Sequence, residues 1–230
     1  MAGYVNRLRR PIDVVILIHK ALRAQAVRAE REVEQLDALG GLHSFNLVFN
    51  SWATNLMTQT ELERQHIRGI SVSGRPSGRA QRTQTSYLLP QTDALHPEQV
   101  ASAPSEDLSA APLLSLEEEL LDSVQAVLTV LNKEIGKTSV ITRTKQHVHR
   151  QVLALRIVQE DYFETEEALV LPAIRDNVTE RRQLQMARGL LIDKGADDPR
   201  WIIDWVASEL DPAERQQLAQ MEVRFQRLTD

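Results

Sequence analysis

Two five-residue stretches decide how this sequence is interpreted: residues 57–61 read MTQTE, and residues 162–166 read YFETE. Each stretch lies late in a long helical pattern and ends in an acid four residues after a Met or a Tyr. A spacing of four residues puts both side chains on one face of an α-helix. If the two helices pack together, Glu61 and Glu166 meet in the interior with the Met and the Tyr beside them, which suits a metal ion.

The composition predicts an all-α protein. The chain has 230 residues, of which 42% are hydrophobic, 26% are charged and only 4% are aromatic. Leu, Ala, Gln, Glu and Arg dominate, and these residues favour helices over strands. The sequence contains no cysteine, which excludes disulfides, thiolate catalysis and Cys-bound zinc or iron–sulfur sites. Metal ligands are therefore limited to His, carboxylates, Tyr and Met.

Charge and hydropathy predict a cytoplasmic protein that does not enter a membrane. The net charge of −5 provides no general attraction to nucleic acid or to an anionic membrane. Basic residues precede an apolar run at residues 14–18, as in a signal peptide, but the run ends after five residues at His19. Such a run is too short for a signal sequence or a membrane span.

The first half of the chain predicts two long helices. The first begins at Pro11 and ends at Gly40-Gly41, with His19 on its apolar face. The second runs from about Leu42 to Arg68. Its predicted inward side chains are Phe45, Phe49, Trp52, Ala53, Leu56 and Met57.

Residues 71–112 are predicted to form a loop inserted between the second and third helices. Gly, Pro, Ser, Thr and Gln replace the apolar periodicity there, and a loop of this length is unusual in a compact domain. The basic residues Arg68, Arg75, Arg79 and Arg82 have no acid among them. A solvated arm is favoured over an anion or RNA site.

The second half predicts two more long helices and three shorter ones. Helix three starts with a capping box at Ser115 and ends before Gly136, with Leu121, Val124, Leu128, Leu131 and Ile135 on its pattern. Helix four runs from about Thr142 to Ile174, with Leu155, Val158, Tyr162, Glu166 and Leu169 on a common face. The shorter helices are predicted at residues 179–194, 199–210 and 212–228, the last two capped by Asp198 and Asp211.

Several segments resemble one known family. Residues 18–23 (IHKALR) are similar to the first-helix signature of hemerythrin-like proteins, the HHE cation-binding family. Residues 166–172 (EEALVLP) resemble the signature of the fourth helix, and residues 60–63 (TELE) that of the second. The resemblance implies an up-down four-helix bundle over residues 1–176, with additional C-terminal helices at 177–230. It also implies that His19 is an iron ligand.

The chain departs from this family at most of the histidines. Met57 stands where the second helix of the family has His, and Tyr162 replaces the His of the fourth. Apolar spacing puts Leu121 in the His position of helix three, with Glu118 or Asp122 as alternative equivalents. Other histidines do not restore the site: His66 is turned about 180° from Met57, and His147 is about 22 Å from Tyr162 along the helix. A five-histidine diiron site cannot be assembled.

A Glu-x-x-His sequence at Glu63 and His66 also matches a motif of di-iron carboxylate bundles. No second copy of the motif occurs in the chain, so it is interpreted as a surface coincidence.

Three functions are compatible with these residues. The first is a non-heme iron or manganese site, mononuclear or dinuclear, formed by His19, Glu61, Tyr162 and Glu166. Such a site would handle or sense O2, peroxide or nitric oxide, and whether the protein is an enzyme stays open. The second is heme held in the bundle core by His19 and Met57, with Tyr162 among the cofactor-binding residues. The third is a metal-free interaction or dimerisation module in which Arg23 or Arg150 pairs with the acids.

Overall fold

A computed structural model of the protein describes residues 8–36, 42–67, 111–134 and 142–228. These ranges contain helices and no strand, which confirms the predicted all-α class. The α-helices are α1 (Val14–Glu34), α2 (His43–His66), α3 (Ala111–Glu134), α4 (Thr142–Thr165), α5 (Leu171–Asn177), α6 (Glu180–Leu191), α7 (Trp201–Glu209) and α8 (Pro212–Gln226). A 3-10 turn at Pro11–Asp13 leads into α1, and a π-helical segment at Glu166–Val170 joins α4 to α5.

Helix α1 lies at the centre of the packing. It contacts α2 and α4 along much of its length, and it also touches α6, α7 and α8. Helix α3 packs mainly against α4 and also contacts α2. Within the described ranges, no helix combines the length and the apolar character that crossing a membrane requires.

The start of α1 is anchored by the buried side chain of Asp13. Its Oδ2 atom accepts hydrogen bonds from the backbone N–H groups of Arg9, at 2.8 Å, and Arg10, at 3.0 Å. Its Oδ1 atom accepts a charged hydrogen bond of 2.7 Å from Arg175 in α5. Because α1 continues directly from this turn, these contacts set the rotation at which His19 enters the core.

The predicted capping box at Ser115 is wrong, because α3 begins four residues earlier at Ala111. Leu121 is also not an inward residue, since its side chain is 40% exposed. The interior face of α3 follows a regular spacing of four, three, four, three and four residues that leaves Leu121 outside. The residues on this face are Leu113, Glu117, Leu120, Val124, Val127 and Leu131.

The observed ends of the shorter helices agree in part with the ends predicted from the sequence. Asp211 caps α8 as predicted, because its side chain accepts hydrogen bonds from the N–H groups of Ala213 and Glu214. Helix α7 begins at Trp201 rather than Pro199, and its cap residue is Arg200. Asp198 bonds to the N–H of Arg200 in the preceding turn instead.

The predicted insertion at 71–112 lies mostly outside the described residues, and so do Arg68, Arg75, Arg79 and Arg82. The last two of its residues, 111 and 112, belong to α3.

Candidate metal centre

His19, Glu63 and Glu166 meet in the core from three different elements. His19 comes from α1, Glu63 from the last turns of α2, and Glu166 from the first position of the π-helical segment. The Nε2 atom of His19 lies 3.3 Å from Glu166 Oε2 and 3.6 Å from Glu63 Oε1. One ligand atom from each side chain lies within 4.8 Å of the other two, and all three residues are buried.

The 3.3 Å separation between His19 and Glu166 matches that of two ligands on one metal ion, and the 3.6 Å separation between His19 and Glu63 is slightly longer. Two atoms bonded to one ion at about 2.1 Å lie about 3.0 to 3.4 Å apart. A direct hydrogen bond between imidazole and carboxylate would be shorter, at about 2.7 to 2.9 Å. Among the described residues, neither His19 Nε2 nor Glu63 Oε1 has a hydrogen-bond partner. Two buried polar atoms therefore face the same small volume without the bonds that normally offset burial.

The Nδ1 edge of the imidazole ring is held by Glu167. His19 Nδ1 lies 2.8 Å from Glu167 Oε1, and Arg23 Nη1 donates a 2.9 Å hydrogen bond to the same oxygen. Arg23 also forms an ion pair with Glu160 through two 2.9 Å contacts from its Nε atom. The ring of Phe163 stacks on His19 with 3.9 Å between centroids. If a metal ion displaced the proton from Nε2, the proton that Glu167 holds on Nδ1 would leave the Nε2 lone pair directed at Glu63 and Glu166.

Glu63 is oriented by a second residue of α4. The hydroxyl of Tyr162 donates a 3.0 Å hydrogen bond to Glu63 Oε2, and both side chains are buried. The bond occupies one carboxylate oxygen and leaves Oε1 directed at His19. Tyr162 thus orients a carboxylate in this structure.

The acids around His19 change its protonation. Burial alone lowers the pKa of His19, but Glu166, Glu167 and Glu63 outweigh burial and raise this pKa well above its ordinary value of 6.5. Burial tends to raise the pKa of Glu167, yet His19 and Arg23 together lower it. A ring of carboxylates therefore gives this part of the core a strong attraction for positive charge.

The charges of the cluster favour a divalent cation. Glu63 and Glu166 bring two carboxyl groups together in the buried core, while Arg23 pairs with Glu160 and Glu167. A divalent ion beside a neutral His19 would supply two positive charges next to these groups, which lowers the cost of burying them.

Three of the five residues proposed from the sequence lie together, namely His19, Tyr162 and Glu166. The other two were assigned to the wrong face of α2. Met57 is 45% exposed, so it does not face His19 as an axial ligand. The side chain of Glu61 is 44% exposed and accepts hydrogen bonds from Arg64 and Gln65.

Glu63 takes the place in the core that Glu61 was predicted to have. Its interpretation as a surface coincidence is wrong, because only 1% of the residue is exposed. The buried stripe of α2, which begins with its aromatic residues, identifies Glu63 as an inward position. Steps of four, three, four, three and four residues connect the buried positions Phe45, Phe49, Trp52, Leu56, Gln59 and Glu63. Glu61 lies about 200° around the helix from Glu63, which turns it towards solvent.

Glu167 was not identified as a site residue from the sequence, and a helical irregularity places it beside Glu166. A π-helical turn contains an additional residue compared with an α-helix. Glu166 and Glu167 both contact His19 within this wider turn. The same turn corrects the prediction that Leu169 is inward: Leu169 is exposed, and Leu171 is buried in its place.

A second cluster of possible ligands lies between α1 and α4, formed by Glu30, Glu34 and His149. It differs from the core cluster because Glu30 already pairs with Arg156 at 2.9 Å and Glu34 is largely exposed. The pairing of Glu30 with Arg156 and the exposure of Glu34 therefore make this cluster a weaker candidate for a metal site.

No protein-family model matches this chain, and no curated protein or solved structure does so either.

Proposed function

We propose that this protein binds one non-heme iron or manganese ion through His19, Glu63 and Glu166, and that it handles or senses O2, peroxide or nitric oxide. We further propose that α1 to α4 form an up-down four-helix bundle of the hemerythrin-like kind. The packing of α1 with α2 and α4, and of α3 with α4 and α2, supports that topology. The additional helices α6, α7 and α8 would lie outside the bundle.

The separations at His19 Nε2 are the observation that carries the metal proposal. Contacts of 3.3 and 3.6 Å to two buried carboxylate oxygens are too long for strong hydrogen bonds and close to the spacing of metal ligands. One imidazole and two carboxylates form a hard, oxygen-rich ligand set, which suits iron or manganese better than copper. When bound, such an ion would supply redox chemistry that no amino-acid side chain provides.

The surrounding residues have separate tasks in this proposal. Glu167 holds the proton of His19 at Nδ1, so that Nε2 is available as a ligand. Tyr162 orients Glu63, and Arg23 keeps Glu167 ionised and in place. Phe163 fixes the plane of the imidazole ring. Partners of this kind typically change metal affinity by about 10- to 100-fold when they are removed.

The depth of the site limits its substrates to very small molecules. Each of the three ligands is at most 1% exposed, so a large organic substrate cannot reach them without opening the core. A groove of about 480 Å³ between α1 and α4 is lined by Arg23, Gln159 and Glu160. Since Arg23 lines this groove and also contacts Glu167, the groove brings solvent close to the surroundings of His19.

The other two hypotheses have weaker support. A heme ligated by His19 and Met57 is disfavoured by the exposed position of Met57 on α2. In the metal-free hypothesis Arg23 or Arg150 pairs with the acids, yet Arg23 pairs with Glu160 and Glu167, and Arg150 is exposed.

Metal analysis of the purified protein tests the proposal. Protein expressed with added iron, and metal-free protein reloaded with Fe(II), Mn(II) or Zn(II), should each contain one ion per chain, with iron or manganese bound more tightly than expected for a surface site. His19→Ala should lose that ion. An absorption spectrum of the same sample distinguishes heme, which has a Soret band, from non-heme iron. Substoichiometric metal in the wild-type protein after reloading would overturn the proposal in favour of the metal-free module.

A further inference from the structure

A groove of about 460 Å³ lies where the C-terminal end of α2 crosses α6, and its polar lining is mainly basic. This groove is separate from the metal centre and from the groove lined by Arg23, Gln159 and Glu160. The residues that supply its charged or hydrogen-bonding groups are Gln65, His66, Arg182, Gln185, Arg188 and Lys194.

The cations of this groove lack acidic partners among the described residues. Arg188 and Lys194 form no ion pair there, and Arg182 donates only a 3.3 Å hydrogen bond to Gln185. Asp193 is the one acid in the lining, and its two oxygens already accept hydrogen bonds from Gly195 N and Trp201 Nε1. In a chain with a net charge of −5, this local excess of positive charge is directed at solvent.

His66 is held in the groove by a close contact with Gly189 of α6. A Cβ atom at Gly189 would lie 2.7 Å from three atoms of the His66 ring, so only glycine allows this approach. Burial lowers the pKa of His66, and repulsion from Arg182 and Lys194 lowers it further. The protein therefore holds an imidazole where nearby cations oppose its protonation, and an anion would relieve that repulsion.

Helix dipoles account for part of the basic cluster but not for all of it. The C-terminal ends of α2 and α6 are partially negative, which favours His66 and Arg188 near them. Arg182, however, lies in the first turn of α6, where the dipole disfavours a cation. The acid of that same turn, Glu180, pairs with Arg224 of α8 instead of Arg182. Arg182 thus faces the groove without a compensating charge.

We infer that this groove binds a small molecule bearing several phosphate groups. Two guanidinium groups bind phosphate oxygens in pairs, and Lys194 adds a compact third charge. Arg182 and Arg188 lie six residues apart, which corresponds to about 9 Å along α6, so an extended oligophosphate can contact both. Gln65 and Gln185 can donate further hydrogen bonds from their side-chain amides.

Titration with inorganic triphosphate tests this inference, in a phosphate-free buffer of low ionic strength. The full chain should bind triphosphate saturably at one site, and orthophosphate more weakly. Arg188→Gln and Arg182→Gln should each weaken binding by about 5- to 30-fold, as expected for the loss of one charged contact. Arg181→Gln is the matched control, because Arg181 is exposed on the same helix and does not line the groove.

Two results would overturn the inference: binding that does not saturate, or an equal loss of affinity in Arg181→Gln and Arg188→Gln. Either result would mean that triphosphate responds only to general positive charge. The same titration on His19→Ala separates this groove from the metal site. Unchanged triphosphate binding supports the groove, whereas loss of binding would show that the probe chelates a metal in the core.

Discussion

The hydroxyl of Tyr162 donates a 3.0 Å hydrogen bond to Oε2 of Glu63, which joins α4 to α2 in the core although the two residues are 99 positions apart. Both side chains are buried, so water does not replace this bond if it is lost. The contact therefore contributes both to folding and to the position of the carboxylate beside His19.

Tyr162→Phe should destabilise the metal-free protein by about 1 to 3 kcal/mol, because it removes a donor from a buried charged oxygen. Chemical denaturation measures this change. The variant should also bind iron about 10- to 100-fold more weakly, since Glu63 is no longer held in orientation. Unchanged stability together with unchanged metal affinity would contradict the structural role assigned to this hydrogen bond.

Glu63→Gln and Glu61→Gln form a matched pair, because they make the same chemical change two residues apart on α2. Glu63→Gln should reduce bound iron from one ion per chain to a small fraction, since one of the two buried carboxylate ligands is lost. Glu61→Gln should keep full metal content, because Glu61 contacts only Arg64 and Gln65 at the surface. Metal analysis after reloading distinguishes them, and equal metal loss in both variants would refute the assignment of Glu63.

Arg23→Gln should weaken metal binding without removing a ligand. Glu167 would lose its ion pair with Arg23 and hold the His19 ring less firmly, for an expected loss of about 10- to 100-fold in affinity. Arg28→Gln is the control on the same helix, because Arg28 pairs with Glu209 outside the centre. Competition with a metal indicator measures both affinities. If Arg28→Gln weakens binding as much as Arg23→Gln, the effect arises from net charge alone.

Gly189→Ala tests the close contact between α6 and His66. The added methyl group should force the His66 ring to move, at a cost of about 1 to 3 kcal/mol that the gain in helix propensity, about 0.5 to 1 kcal/mol, only partly offsets. In a His66→Ala background the clash is absent, so the same substitution should be neutral or stabilising. Denaturation of the four proteins gives a double-mutant cycle. Additive effects would show that the two residues do not touch.

His66 should make the stability of the protein depend on pH near neutrality. Its pKa is lower in the folded protein than the ordinary 6.5, because of burial and the charges of Arg182 and Lys194. As the pH falls through about 6.5, the unfolded chain takes up this proton before the folded protein does, so the free energy of unfolding decreases. This contribution is lost completely once the pH is below the folded pKa.

His66→Gln should lack this decrease, so wild type should lose stability relative to the variant between about pH 8 and pH 5.5. Denaturation at several pH values measures the difference. An NMR titration of His66 gives its pKa directly, and a value at or above 6.5 would contradict the prediction.

The sequence was sufficient to predict the elements that form the core. Apolar spacing predicted the start of α1 and both ends of α2 to within a few residues, and it predicted that His19 is buried. The predicted end of α1 at Gly40-Gly41 is wrong, because α1 ends at Glu34. The Asp211-Pro212 start of α8 was recognisable because its capping contacts are all local. Tyr162 and Glu166 were assigned to the interior correctly, since they lie four residues apart on one helical face that runs from α4 into the π-helical segment.

The correct choice of Glu63 over Glu61 as the ligand required following one stripe of buried positions over the whole of α2. Leu56 and Met57 are neighbours with similar hydropathy, and only packing against α1, α3 and α6 decides which of them is inward. Taking Met57 rather than Leu56 as inward led to the prediction of Glu61, which faces solvent, as the ligand. The spacing that begins at Phe45 identifies Glu63 as an inward residue, but Glu63 is polar and is therefore not marked by hydrophobicity.

Helical periodicity is a local property, so the sequence by itself determined the all-α class and the interior positions of His19, Tyr162 and Glu166. The tertiary structure decided that Glu63 and Glu167 meet His19, although the stripe of α2 already marks Glu63 as inward. Glu63 faces His19 because of the rotation at which α2 packs, and Glu167 reaches Nδ1 within a π-helical turn between α4 and α5. Both depend on contacts between residues more than forty positions apart, which the spacing within one helix does not encode.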